Sequence, residues 1–168
     1  GVSLGGNVML KWLGERGEQA PPHVEAAVAI STPFNLAACA SVLDKGLNRW
    51  LYTASFLSTM KAKLDKKAHL YHGVLNLPAA RKSRTFAEYD RLVTAPLNGF
   101  SSEHDSWARS SSAQFLPQIR RPTLLINALN DPFMPPSALP RAAVAKSPWL
   151  EAAFVKHGGH AGFLEGFA

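Results

Sequence analysis

Cysteine is nearly absent from this sequence: Cys39 is the only one among 168 residues. A lone thiol has no internal disulfide partner, which excludes a disulfide-stapled scaffold and leads us to expect a reducing, cytoplasmic setting. Long apolar runs are missing too. No uncharged stretch approaches the roughly 18–20 residues that a membrane-spanning helix needs, and no signal peptide opens the chain. The first residue is Gly1 rather than methionine, so an upstream targeting or anchor segment stays open. No histidine pair has H-E-x-x-H spacing and Cys39 has no ligand partner, so neither a metal nor another cofactor is expected. Internal repeats and low-complexity tracts are lacking as well.

What is present is an ordinary globular balance, with 46% hydrophobic and 18% charged residues. That excludes intrinsic disorder, and the length suits one domain. The net charge of +6 is concentrated in one place. Lys61, Lys63, Lys66, Lys67, Arg81, Lys82 and Arg84 stand there against Asp65 alone. The stretch has neither a clear groove-reading helix nor interleaved stacking aromatics, so no nucleic-acid partner is expected. It reads as a solvated basic face. The other reading is a surface that attracts acidic substrates or anionic lipid, which would allow association with a membrane.

Along the chain, Val8, Met9, Trp12 and Leu13 recur at helical spacing directly after a glycine-rich opening, and Gly14 and Gly17 weaken that helix before Pro21-Pro22 stop it. Val24 to Ser31 reads as a buried parallel strand. From Phe34 to about Leu97 the pattern is helical and irregular, with Leu47, Trp50, Leu51, Ala54, Leu57, Met60 and Leu64 as one apolar stripe. Gly99 to Ser112 is polar and loop-like. Pro122 to Ala128 and Trp149 to Lys156 are two further strand candidates, with a helix predicted over Ser137 to Ala145. Strands separated by helical stretches imply an α/β fold with a parallel sheet. The predicted core is 1–33 with 113–168, interrupted by a helical lid insertion over about 34–112.

Gly1-Val2-Ser3-Leu4-Gly5 fits the G-x-S-x-G nucleophile elbow. The spacing has a physical reason: the serine sits on a sharp strand-to-helix turn, and residues two positions away must be small to clear the neighbouring strand and helix. The backbone N–H of Leu4 would then face a tetrahedral oxyanion. A serine hydroxyl needs a base, and the base needs an orienting carboxylate. Asp131 follows a strand candidate, whereas Asp44, Asp65, Asp90 and Asp105 do not. His160 follows the next strand candidate through Gly158-Gly159, which lets the loop fold back. His157 is its rival, while His23, His69, His72 and His104 read as surface or lid residues. Phe34, Trp50, Phe56, Met134 and Phe163 could line an acyl pocket or belong to ordinary core.

With these residues placed, the sequence resembles the YheT-like branch (AB hydrolase 4 family) of the AB hydrolase superfamily. The resemblance is carried by Gly1 to Asn7, Thr94-Ala95-Pro96-Leu97-Asn98-Gly99-Phe100, Pro122 to Pro135, and Gly158-Gly159-His160-Ala161-Gly162-Phe163-Leu164. It implies an α/β-hydrolase fold and a serine carboxylesterase or acyl hydrolase acting on a small or lipid-like ester. Ser3, Asp131 and His160 would be its charge-relay residues. Val2 stands where the family often has phenylalanine. The resemblance further implies earlier strands, an oxyanion loop and a final helix beyond this chain, so the N-terminal half of the domain would be absent. On that reading the Val24–Ser31 strand keeps an unpaired apolar edge, and this chain alone is poorly soluble and inactive. The competing class is an α/β-hydrolase fold kept as a non-catalytic binding protein.

Overall fold

The computed structural model describes residues 1–163, so Leu164, one of the residues carrying the resemblance, lies outside the described residues. The chain divides into two compact units, Gly1–Cys39 with Ser110–Ala168, and Ala40–Arg109.

The first unit is built on a parallel sheet of order β1-β2-β3, with β1 at Ala27–Ile30, β2 at Thr123–Ala128 and β3 at Leu150–Val155. Its register sets Ala27 beside Thr123 and Thr123 beside Leu150. All three strands fall where the sequence predicts them. β1 is shorter than predicted because Val24 is already used elsewhere: its N–H donates to the Pro21 carbonyl in a turn. The guanidinium of Arg121 also donates to the carbonyls of Val24 and Ala20. The far edge of β1 is not bare at its C-terminal end, contrary to expectation. Ile30 N–H donates to Gly1 O at 2.9 Å, and Ser3 N–H donates to Ile30 O at 2.8 Å, which makes a parallel bridge between Val2 and Ile30.

Helix α1, Leu4–Arg16, starts on the residue after Ser3. It buries Gly6, Asn7, Leu10, Leu13 and Gly14. Val8 and Trp12, expected on the packed face, are exposed at 61% and 36%. Small residues explain the rotation, because they let the backbone come close. A Cβ on Gly14 would lie 2.2 Å from the Phe115 carbonyl oxygen, so Gly14 seats α1 on the Ser112–Gln118 segment rather than weakening it. The core joins Leu10, Leu13, Ala29, Phe34, Leu116, Ile119, Leu125, Met134 and Leu150. Phe34 and Met134, open between pocket and core on sequence, are both core. The helix predicted over Ser137 to Ala145 is instead a 3-10 turn at Pro136–Ala138 and an α-helix at Arg141–Lys146. Pro140 separates them, since it offers no N–H and pushes Leu139 into an extended conformation (φ −69°, ψ 133°).

The second unit has its own cluster of Leu57, Leu64, Leu77, Ala80, Tyr89 and Val93. The predicted apolar stripe is broken. Leu57 and Leu64 are buried, but Leu47, Trp50 and Leu51 are exposed. Arg49–Thr53, which includes Trp50 and Leu51, winds as a π-helical turn, whose i→i+5 bonds insert an extra residue and shift the phase of the face. The polar stretch after Gly99 is not a loop throughout. Glu103–Ser110 is helical, opened by Ser102, whose hydroxyl accepts from Asp105 N–H, while the Asp105 carboxylate accepts from Ser101 N–H. This S-x-x-D pattern is a helix-start signal legible in sequence. No helix of the described residues is long and apolar enough to cross a membrane.

Candidate active site

Ser3 occupies the sharp turn between the Gly1–Ser3 segment and α1. Its backbone has φ 49° and ψ −129°, a conformation that costs a non-glycine residue about 1–3 kcal/mol and persists only where surroundings enforce it. Here they do: Ser3 N–H donates to Ile30 O, and Ser3 O accepts from Gly6 N–H at 2.9 Å and Asn7 N–H at 3.2 Å. The glycines have different duties from those the motif suggests. A Cβ on Gly1 would lie 2.8 Å from Gly5 O, and one on Gly6 would lie 2.1 Å from Thr32 Oγ1. A Cβ on Gly5 would meet nothing within 4 Å. The close approach to the β1 end is therefore made by Gly6, one residue beyond the motif.

The three strands deliver their C-terminal ends to one edge, where parallel sheets carry functional groups. Asp131 lies in the turn after β2 and His160 in the loop after β3. His160 Nε2 lies 2.9 Å from Ser3 Oγ, and His160 Nδ1 lies 2.8 Å from Asp131 Oδ2. Residues 157 positions apart in the chain thus share one line of hydrogen bonds. The Asp131 side chain is fully buried and that of His160 is 17% exposed. An ionised carboxylate only accepts, so Nδ1 carries the ring proton and Nε2 is left to accept from the Ser3 hydroxyl. The other Asp131 oxygen, Oδ1, accepts from Phe133 N–H at 2.8 Å.

The histidine loop depends on its glycines. A Cβ on Gly158 would lie 2.6 Å from the Phe163 ring and 3.1 Å from Ala128 Cβ, while Gly159 adopts φ 58°. His157, the rival, is exposed, as are His23, His69, His72 and His104. Leu4 is the first residue of α1, so its N–H belongs to the helix-opening set that lacks an intrahelical partner. Cys39 is buried, and burial, followed by the nearby charge of Asp131, pushes its thiol up to about 12. Of the suggested pocket residues, Trp50 is exposed at 80% and Phe56 at 43%.

Three residues of this site went unread in the sequence. Asn7, buried on α1, donates to Ser110 O and accepts from Ser112 N–H, tying that segment to the elbow helix. Phe133 lays its ring against His160, with centroids 4.1 Å apart and planes at 32°. Asn130 accepts from both Gly158 N–H and Gly159 N–H at 3.0 Å. An Asn-Asp-Pro turn is a visible signal of side-chain-to-backbone bonding, but its partners lie across the sheet end.

A strained serine with a helix starting on the next residue, an aspartate from the end of β2 and a histidine from the end of β3 define the α/β-hydrolase class. A family model described as alpha/beta hydrolase fold matches residues 1–167, and the chain belongs to that family. Among its relatives, the candidate esterase YheT of Escherichia coli (strain K12) is 37% identical over 168 residues, covering 99% of this chain and 48% of that protein. Human phospholipase ABHD3 is 30% identical over 167 residues, covering 99% and 40%. The monoacylglycerol lipase of Saccharomyces cerevisiae is 26% identical over 177 residues, covering 98% and 37%. The chain therefore spans about half, or less, of the length of the curated relatives it matches.

Proposed function

We propose that this chain carries the nucleophile, the base and the orienting carboxylate of a serine hydrolase that cleaves carboxylic esters, with Ser3, His160 and Asp131 in those roles. The observation that carries the reading is the continuous Ser3–His160–Asp131 hydrogen-bond line anchored on a strained elbow. In the first step Ser3 Oγ attacks the ester carbonyl carbon and its proton passes to His160 Nε2. The negative charge that develops on the carbonyl oxygen is met by the Leu4 N–H at the N-terminal end of α1. Collapse breaks the bond to the alcohol, which leaves with the proton from Nε2, and Ser3 is acylated. Water then adds to the acyl carbon, its proton again passing to Nε2. Release of the acid returns that proton to Ser3. Asp131 keeps the imidazole in the required tautomer and stabilises it when it is charged.

Relatives named as an esterase, a phospholipase and a monoacylglycerol lipase support an ester of the lipid class as substrate. The experiment is labelling and turnover on the full-length protein. A fluorophosphonate probe is expected to modify Ser3, and Ser3→Ala is expected to abolish labelling and lower ester hydrolysis by about 10⁴-fold or more. Hydrolysis that survives Ser3→Ala would overturn the assignment.

A further inference from the structure

The β2–β3 ladder closes at the bond from Leu129 N–H to Val155 O, 2.8 Å long. Beyond it, His160 sits on a loop without strand pairing. One oxygen replaces that pairing. Asn130 Oδ1 lies 3.0 Å from Gly158 N and 3.0 Å from Gly159 N, so both lone pairs of the amide oxygen are engaged by the two residues that precede His160. Asn130 is next to Asp131 in sequence, and Gly159 is next to His160. The backbone link and the Asp131–His160 link therefore run side by side between the same two segments. Either one alone would let the imidazole pivot about the other.

We propose that Asn130 is a positioning residue, holding the histidine loop so that His160 Nε2 stays aimed at Ser3 Oγ. This rests on the serine-hydrolase reading above. Both bonds from Asn130 are solvent-exposed, so they add little to global stability. A misplacement of about 1 Å at a reacting group, by contrast, lowers turnover by about 10²-fold. The role therefore shows in kcat rather than in KM or in melting temperature.

The test uses the full-length protein with Asn130→Ala and Asn130→Asp. Asn130→Ala is expected to lower kcat by about 10- to 100-fold with KM held within about 2-fold, and to speed amide exchange at Gly158 and Gly159. Asn130→Asp keeps an acceptor at the same place. It is expected to restore most of kcat at high pH and to move the acidic limb of the kcat/KM profile to higher pH, because a second carboxylate beside the imidazole favours its protonated form. Wild-type kcat in Asn130→Ala, or equal losses in both variants with an unmoved acidic limb, overturns the positioning role. If the unaltered full-length protein neither hydrolyses esters nor labels at Ser3, the serine-hydrolase reading fails first and takes this proposal with it.

Discussion

Asp131 bonds two groups at the scale of single atoms, His160 Nδ1 and the Phe133 N–H, and its charge also acts on the Cys39 thiol. The thiol is the one that could be mistaken for a second nucleophile. Burial first, and then the charge of Asp131, disfavour a thiolate, and only the thiolate reacts. Iodoacetamide at mildly alkaline pH is therefore expected to leave Cys39 unmodified in the folded chain and to add one group in denaturant, read by mass spectrometry. Rapid native modification would contradict the burial argument. The candidate residues were legible in sequence because Ser3 sits in a G-x-S-x-G motif ahead of a helix, and Asp131 and His160 each follow a strand in the order that the α/β-hydrolase fold requires. Asn130 and Phe133 were not, because their partners lie across a sheet end and neither residue type demands a particular role.

At the scale of elements, α1 and β1 meet where the Gly6 backbone passes Thr32 Oγ1. Gly6→Ala is expected to destabilise the chain by about 1–3 kcal/mol, since the added methyl forces two packed elements apart. Gly5→Ala is expected to be neutral or to stabilise by up to about 1 kcal/mol, because alanine loses less backbone entropy than glycine in the first turn of α1 and its Cβ meets nothing within 4 Å. Urea denaturation of the pair distinguishes them, and equal effects would refute the assignment of the contact to Gly6. The five-residue motif could not distinguish these glycines. It fixes residue types along the chain, whereas the clash is with β1, reached only through the sheet. Periodicity failed on the Leu47–Leu64 stripe for a related reason: the π turn at Arg49–Thr53 is a local insertion that a fixed 3.6-residue period cannot register.

At the scale of the whole molecule, two hydrophobic clusters serve two compact units. The Ala40–Arg109 unit holds a half-buried acid that makes its stability depend on pH. The Asp90 carboxylate accepts from the Thr94 hydroxyl at 2.6 Å and from the Trp107 indole N–H at 2.7 Å. Burial, the largest influence, raises its titration above the ordinary 3.8, outweighing both bonds. The folded chain then keeps the proton to higher pH than the unfolded chain does. The stability from this group is full below 3.8 and is lost as pH rises through the raised folded value. Asp90→Asn has no charge to desolvate and can pair with both neighbours, with the threonine hydroxyl turned to accept. It is expected to flatten that decline, measured as unfolding free energy from pH 4 upward. A variant that declines as steeply as the parent would assign the dependence to other groups.

By itself the sequence determined the parallel α/β order, the three strand positions and the three candidate site residues, because strand burial, turn chemistry and motif spacing are written locally. Only the tertiary structure decided which face of α1 packs, which glycine makes the close approach, and what holds His160 in place. Those depend on distances between segments far apart in the chain, and no local pattern encodes them.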